Sequence, residues 1–444
     1  MKAIRAIAIG IILLMAVSGR ARSQQSPAQA FKNVDIHLAN GNTIESGTIV
    51  WRDGVIEAVG EGEAIPFDAY VRNGGDSLHI YPGFIDGLAF WGSPDSKEYK
   101  KAPDDPGNPS YKRAGIQPQR HPARYLDVED TSLIKAQKHG FTTAALALEG
   151  QMLPGQVDLF FMNGEQTHNY ILERGIGVLS QFEEAERGAY PSTLMGIMAQ
   201  LRQLFYDAEA QMQQQDYFAS AGGNYSVPSG KEELEALYPV MSQEQPFYFV
   251  ANTGEDIERL FHLQDDLDFD VILVSGKEAY KKADELKERG IPVLASIELP
   301  EKPEWKTDDN EGKQVSDEKR HFRERQMEAY RAAASNIGRM LEAGLKVGYA
   351  SNGAKLSKMQ DHLKALKENG GLSDSQILRL FTQSTADILG YGQKLGDLKE
   401  GRIASFSVFV EPFDHKKASV LYSVSNGNLT KFEPKSSKKS EEDE

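Results

Sequence analysis

A chain of 444 residues is long enough to bury an extensive core, and its formal net charge of −15 at pH 7 repels phosphate backbones. We therefore expect no nucleic-acid partner. The sequence contains no cysteine, which excludes disulfides, thiolate chemistry and cysteine metal ligands.

The first residues have the pattern of an export signal. Lys2 and Arg5 precede an apolar run from Ala6 to Val17, and small and polar residues follow as far as Ser23. This run is too short to span a membrane. We expect residues 1–23 to be a cleaved signal peptide, the protein to be periplasmic or extracellular, and the chain to have no membrane span.

Short strands and turns are predicted for residues 31–81, where Val34, Ile36 and Leu38 alternate with polar residues. From residue 82 to residue 392, short apolar strands alternate with helices, which is typical of parallel βα units. The predicted strands are Phe141–Leu148, Ile176–Leu179, Phe247–Val250, Val271–Val274, Pro292–Ala295 and Val347–Ala350. The predicted helices start at Thr131, Glu255, Ala279, Ser316 and Ser373, and the last opens with the capping box Ser373-x-x-Gln376.

Three segments interrupt this alternation. Residues 91–127 are rich in proline, glycine and charge, residues 205–240 combine a long helix with a polar loop, and residues 300–316 are charged. The tail, residues 435–444, is low in complexity and is expected to be disordered.

One stretch, His79 to Gly92, reads HIYPGFIDGLAFWG. It resembles the first barrel strand of the metal-dependent amidohydrolase superfamily, whose pattern is Pro-Gly-x-Ile-Asp-x-His-x-His, and in particular its exported, imidazolonepropionase-like branch. The segment from Gln383 to Gly401 resembles the closing helix, turn and returning strand of the same family. The resemblance implies an α/β fold, namely a (β/α)₈ TIM-like barrel over residues 82–392. It also implies a small β-sandwich formed from both chain ends, residues 31–81 and 393–430.

The resemblance also implies where a metal and its proton shuttle would be. The family has histidines at the ends of strands one, five and six and an aspartate after strand eight. The family's ligand positions here carry Leu88, Phe90, Val250 (with Asn252 as the neighbouring option) and Ser275, and Asn352 replaces the aspartate. Leucine, phenylalanine and valine have no lone pair to offer a metal. We therefore predict that the zinc expected of the family is lost.

Other residues could remodel the barrel mouth. A candidate pocket comprises Asp86, Glu149, Asn252, Ser275 and Asn352, although Asp86 equally suits a structural role in bracing the backbone. None of the nine histidines ends a predicted barrel strand, and His121, in the first insertion, is a solitary one that could reach the mouth. One histidine does not hold zinc.

The family activity is hydrolysis of C–N bonds in amides and cyclic amides. The leading hypothesis is a metal-free pseudoenzyme or binding subunit, whose partner is an active amidohydrolase relative, another exported protein or a second copy of the chain. The alternative is an active hydrolase of C–N bonds with a rearranged site, and a third option is a purely structural module. We expect Leu88 and Phe90 to fill the space of the metal, and residues 91–127 to be a partner surface that the fold does not need.

Overall fold

The computed structural model describes residues 26–75, 77–94, 99, 101–162, 170–220, 228–305 and 316–433. The expected signal peptide, residues 1–23, and the expected tail, residues 435–444, lie outside these ranges. Within them, no helix is long and apolar enough to cross a membrane.

The strands, in chain order, are β1 (Gln29–His37), β2 (Thr43–Arg52), β3 (Val55–Gly60), β4 (Tyr70–Asn73), β5 (His79–Pro82), β6 (Phe84–Ala89), β7 (Phe141–Leu146), β8 (Gly155–Phe161), β9 (Ile171–Gln181), β10 (Phe247–Ala251), β11 (Val271–Ser275), β12 (Val293–Ala295), β13 (Val347–Tyr349), β14 (Phe406–Phe409), β15 (Val420–Ser425) and β16 (Asn428–Lys431). The α-helices are α1 (Thr131–Lys138), α2 (Leu194–Ser220), α3 (Glu232–Glu235), α4 (Tyr238–Met241), α5 (Gly254–Leu267), α6 (Ala283–Glu288), α7 (Asp317–Glu342), α8 (Met359–Gly370), α9 (Asp374–Arg379) and α10 (Thr385–Ile388). A π-helical turn, Leu380–Ser384, joins α9 to α10.

Strands from the two ends of the chain meet in one sheet. Its order is β16-β15-β14-β5-β1-β2-β3, and β4 pairs with β1. The sheet has its own apolar core, in which the rings of Trp51 and Phe406 pack edge to face at 5.1 Å. The meeting of both chain ends agrees with the resemblance, while the two-layer sandwich stays a prediction.

The second sheet holds the strands β6 to β13 in sequence order. Its two edge strands approach each other, because Asn352, just after β13, donates its N–H to the carbonyl of Leu88 in β6 at 2.9 Å. Successive side chains along each strand point to opposite faces of the sheet, and each face has its own apolar core. On β10, for example, Tyr248 belongs to the inner apolar cluster, whereas Phe247 and Phe249 belong to the core on the other face of the sheet.

Strand β8 departs from the expected parallel units. It is antiparallel to β7 and to β9, whereas the other pairs in this sheet are parallel. Only residues 147–154 connect β7 to β8. A parallel crossover needs about a dozen residues or more, so a connection this short can only form a hairpin. The predicted (β/α)₈ barrel therefore has an irregular unit at this point.

Residues 114–117 of the first insertion pack against β8 and the turn before it. Gln117 donates its N–H to the carbonyl of Leu153 at 2.7 Å, and Leu153 donates to Gly115 at 2.9 Å. Ala114 and Ile116 are buried in the core that also contains Phe160 of β8. The expectation that the fold does not need this segment is therefore wrong, because removing it would expose apolar core.

The other two insertions extend helices. The second is the C-terminal half of α2 followed, beyond residues 221–227, by α3 and α4. The third precedes α7, and Ser316 caps that helix by accepting the N–H of Lys319 at 3.3 Å. Residues 306–315 of this insertion lie outside the described ranges.

Candidate functional site

The strand register brings the ends of four barrel strands to one level. Ala251 of β10 pairs with Ser275 of β11, Ser275 pairs with Ala295 of β12, and Ala295 pairs with Tyr349 of β13. Polar residues that follow these strands therefore lie at the same end of the sheet, where barrel proteins place their functional groups.

Asp86 braces the first strand of this sheet against the last. Its Oδ1 accepts the N–H of Leu88 at 3.1 Å and the N–H of Ser351 at 2.9 Å. The side chain is fully buried, and its Oδ2 has no hydrogen-bond partner among the residues that the structure describes. The structure thus assigns Asp86 the bracing role, since no face of the carboxyl reaches solvent.

Burial governs the ionisation of this carboxyl. Desolvation raises the pKa of Asp86 from 3.8 to about 7, and the hydrogen bonds from Ser351 and Leu88 oppose part of that rise. The nearby phenol of Tyr349 is also buried. Its pKa is raised well above 10, first by desolvation and then by the negative charge of Asp86.

Apolar side chains occupy three of the positions where the resemblance places metal ligands. Leu88 is 0% exposed and lies in the inner apolar cluster with Val274 and Leu294. Phe90 and Val250 are partly buried and pack against the same cluster. The side chains at these positions therefore make van der Waals contacts where the family has metal bonds.

The remaining ligand position, Ser275, is bonded to its neighbour. Its hydroxyl donates to Oδ1 of Asn252 at 2.6 Å, and its φ angle of +72° places it in the left-handed region at the end of β11. An amide oxygen cannot accept the proton that a serine nucleophile must give up. This pair is a polar strand-end contact without a general base.

The five residues of the predicted pocket lie in or shortly after strands of the barrel sheet, and their union in one pocket stays a prediction. Asp86 and Asn352 lie where β6 and β13 meet, and Asn252 and Ser275 lie at the ends of β10 and β11. Glu149 is exposed on the turn after β7, and its backbone N–H donates to Ser93 Oγ at 3.1 Å.

The residues present do not fit the metal that the fold family implies. In the described ranges, no group of three or more histidine, cysteine, aspartate or glutamate side chains is placed to hold a metal ion. His121 does not reach the mouth, because its Nδ1 bonds the buried Asp158 of β8 at 3.1 Å. His168 lies outside the described residues.

Sequence reasoning missed Asp158, because it predicts no strand between Phe141–Leu148 and Ile176–Leu179. The sequence nevertheless contains a strand pattern around Asp158. Val157, Leu159 and Phe161 alternate with Gln156 and Asp158, which is the period of a half-buried strand. In the structure these three apolar residues do face the inner cluster.

These features define an α/β protein with a TIM-like barrel sheet and a second sheet made from both chain ends. Residues 248–431 match the family model described as "Amidohydrolase family". Comparison with curated proteins finds no significant match.

Solved structures share the fold. An amidohydrolase from Thermotoga maritima MSB8 is 18% identical, with a TM-score of 0.73 over 90% of this chain and 99% of that one. A prolidase complexed with N-methylphosphonate-L-proline is 15% identical, with a TM-score of 0.51 over 91% of this chain and 100% of that one. The family match supports membership of the amidohydrolase superfamily, and the structural likeness shows its fold over most of the chain. The resemblance inferred from the sequence is confirmed at this level.

The packing of Leu88 can be tested by truncation. Leu88→Ala should lower the free energy of unfolding by about 2–5 kcal/mol, because it leaves a cavity in the inner cluster. Phe90→Ala should cost less than the roughly 3–5 kcal/mol of a fully buried aromatic, since Phe90 is only partly buried. Urea denaturation measures both values. The control is Phe67→Ala, at a fully exposed phenylalanine, which should stay within about 0.5 kcal/mol of wild type. A neutral Leu88→Ala would contradict the packed mouth and favour an open pocket.

Asp86 should make stability fall as pH rises. Its pKa is higher in the folded protein (about 7) than in the unfolded chain (3.8), so the folded state holds a proton that the unfolded chain releases between these values. Stability is therefore lost between about pH 4 and about pH 7. Asp86→Asn keeps the carbonyl acceptor for Leu88 and Ser351 but cannot ionise, so its unfolding free energy, measured in urea, should lose this part of the pH dependence.

The Asp86→Asn amide also buries an unpaired N–H, at a cost of about 1–3 kcal/mol that does not vary with pH. The test is therefore the slope of stability against pH and not its absolute value. Glu149→Gln, which changes an exposed carboxyl, should leave the slope as in wild type. Equal slopes for Asp86→Asn and wild type would refute the buried, proton-holding carboxyl.

Proposed function

We propose that this protein is a metal-free amidohydrolase-like barrel, beside a β-sandwich of both chain ends, that binds a partner and does not hydrolyse C–N bonds. The observation that carries the proposal is the packing of Leu88, Phe90 and Val250 against the inner apolar cluster. In the family these strand ends hold the metal.

Hydrolysis by this fold family needs a metal to lower the pKa of water to about 7 and a carboxylate to move the proton. Here Asn352 follows the last barrel strand in place of the carboxylate, and an amide cannot take a proton at neutral pH. The hydroxyl of Ser275 donates a hydrogen bond to Oδ1 of Asn252. These residues supply neither the activated water nor its proton acceptor.

One observation favours the alternative, an active hydrolase with a rearranged site. The pKa of Asp86, about 7, lies in the range of an effective general base, and its Oδ2 lacks a partner among the described residues. However, a general base must come within hydrogen-bond reach of its substrate or of a water, and Asp86 is fully buried. The burial that raises its pKa also separates it from substrate.

Exposed aromatic side chains offer surfaces for a partner. Tyr217 near the end of α2 is 68% exposed, and Phe322 in the first turns of α7 is 53% exposed. Aromatic residues are enriched at protein interfaces. The partner is proposed to be an active amidohydrolase relative, another exported protein or a second copy of the chain.

A turnover assay separates the two functions. The purified protein should be incubated with N-acyl amino acids, Xaa-Pro dipeptides and cyclic amides, with added Zn²⁺ and with added Mn²⁺. We expect no product above the buffer rate, while an active prolidase under the same conditions gives turnover. If the protein turns over a substrate, and if Asp86→Asn abolishes this activity while Glu149→Gln leaves it intact, the protein is an active hydrolase with a rearranged site. That result would refute the pseudoenzyme proposal.

We further propose that the protein is exported, supported by Lys2 and Arg5 ahead of the apolar run Ala6 to Val17. Cell fractionation with mass spectrometry of the N-terminus should find the chain outside the cytoplasm and cleaved near Ser23. Intact residues 1–23 on cytoplasmic protein would argue against export.

A further inference from the structure

A polar cleft of about 400 Å³ lies beside β8, away from the ends of the barrel strands. The first insertion forms one wall, and the short helices α3 and α4 with the turn before β10 form the other. The lining residues that matter here are Gln119, His121, Gln156, Gln245, Glu232 and Glu235. Neither the resemblance nor the proposed function assigns a role to this cleft.

A buried carboxylate orients the histidine of the cleft. Asp158 is 0% exposed, and its Oδ1 lies 3.1 Å from His121 Nδ1 and accepts the N–H of Gly175 at 2.7 Å. Its Oδ2 accepts the N–H of Ala123 at 3.0 Å. The donor and acceptor roles of the His121 nitrogens depend on its tautomer, and the neutral tautomer with the proton on Nδ1 donates to Asp158. In that tautomer Nε2 is an acceptor, and no described residue is bonded to it.

Two further acceptors in the cleft lack donors. Gln119 Oε1 and Gln245 Oε1 are buried, and neither has a hydrogen-bond partner among the described residues. The orientation of the Gln245 amide is not arbitrary, because its Nε2 donates to the carbonyl of Gly175. A buried acceptor without a donor costs about 1–3 kcal/mol, so a group that supplies donors would bind favourably here.

The backbone of β9 makes room for this arrangement. The register between β8 and β9 shifts between Val157 and Leu159, and Gly175 lies in the shifted stretch with a φ angle of +64°. A Cβ at Gly175 would lie 2.8 Å from Gln245 Nε2 and 3.6 Å from His121 Cε1. Irregularities of this kind re-aim side chains and are frequent next to functional sites.

We propose that this cleft binds a small, donor-rich cation, such as a primary ammonium or guanidinium compound. Ammonium and guanidinium groups donate hydrogen bonds and accept none, which matches the unpaired acceptors of His121, Gln119 and Gln245. The carboxylates of Glu232 and Glu235 supply negative charge, and Glu235 also accepts from Gln215 at 2.9 Å. Arg124 is the one cation in the lining, so acidic groups outnumber it.

The proposal does not depend on the absence of hydrolysis at the barrel mouth. Isothermal titration calorimetry of the full-length protein with agmatine, which carries a guanidinium and an ammonium group, and with putrescine tests it directly. Succinate, of similar length and opposite charge, is the control ligand. We expect agmatine and putrescine to bind and succinate not to bind.

Variants locate the binding. His121→Asn keeps an N–H donor toward Asp158 but removes Nε2, and Gln119→Met removes an amide oxygen at nearly constant size. Each should weaken agmatine binding about tenfold or more, as the loss of a hydrogen bond to a charged group does. Glu232→Gln, at an exposed position, should weaken it without affecting the fold. The matched control is His321→Asn, at an exposed histidine of α7, which should bind as wild type.

The absence of agmatine and putrescine binding, or equal binding of succinate, would overturn the proposal. So would binding that all three cleft variants leave unchanged.

Discussion

The buried carboxyl of Asp86 joins the first and last strands of the barrel sheet, together with the backbone hydrogen bond from Asn352 to Leu88. Asp86 Oδ1 accepts one N–H from its own strand and one from Ser351, which follows the last strand, and these two residues are 265 positions apart. Without this acceptor the two buried N–H groups would lose their partner. The contact fixes the level at which the strands end, and therefore where Leu88 and the residues after β13 lie. The cost is a carboxyl held out of water, which its raised pKa reflects.

This constraint also explains why the mouth is apolar. Histidines buried there without a metal would be unsatisfied polar groups, and each would cost free energy. Leu88, Phe90 and Val250 avoid that cost and add packing to the inner cluster.

Local patterns predicted much of the fold. Periodicity and capping located the strands β10 to β13 and the long helix α7, and the capping box at Ser373 and Gln376 is present with both of its hydrogen bonds. The motif around Asp86 gave the resemblance to the superfamily, and strand alternation placed Leu88 inward. Such features depend on neighbours in sequence, so the sequence displays them.

The sequence-based predictions that the structure overturns concern contacts between residues that are far apart in the chain. The direction of β8 follows from the short connection after β7, and no strand is predicted from the sequence at β8. The bond between His121 and Asp158 joins the first insertion to a strand that was not predicted, so the insertion was taken to be dispensable. A buried acceptor without a donor, such as Gln119 Oε1, is visible only in three dimensions.

The central claim is that apolar packing has replaced the metal centre of the family. Elemental analysis of the purified protein after exposure to Zn²⁺ and dialysis tests it most directly. The account predicts far less than one zinc per chain, both for wild type and for the double variant Leu88→His/Phe90→His, because two histidines do not complete a zinc site. Zinc retained at about one per chain by the wild-type protein would contradict the account.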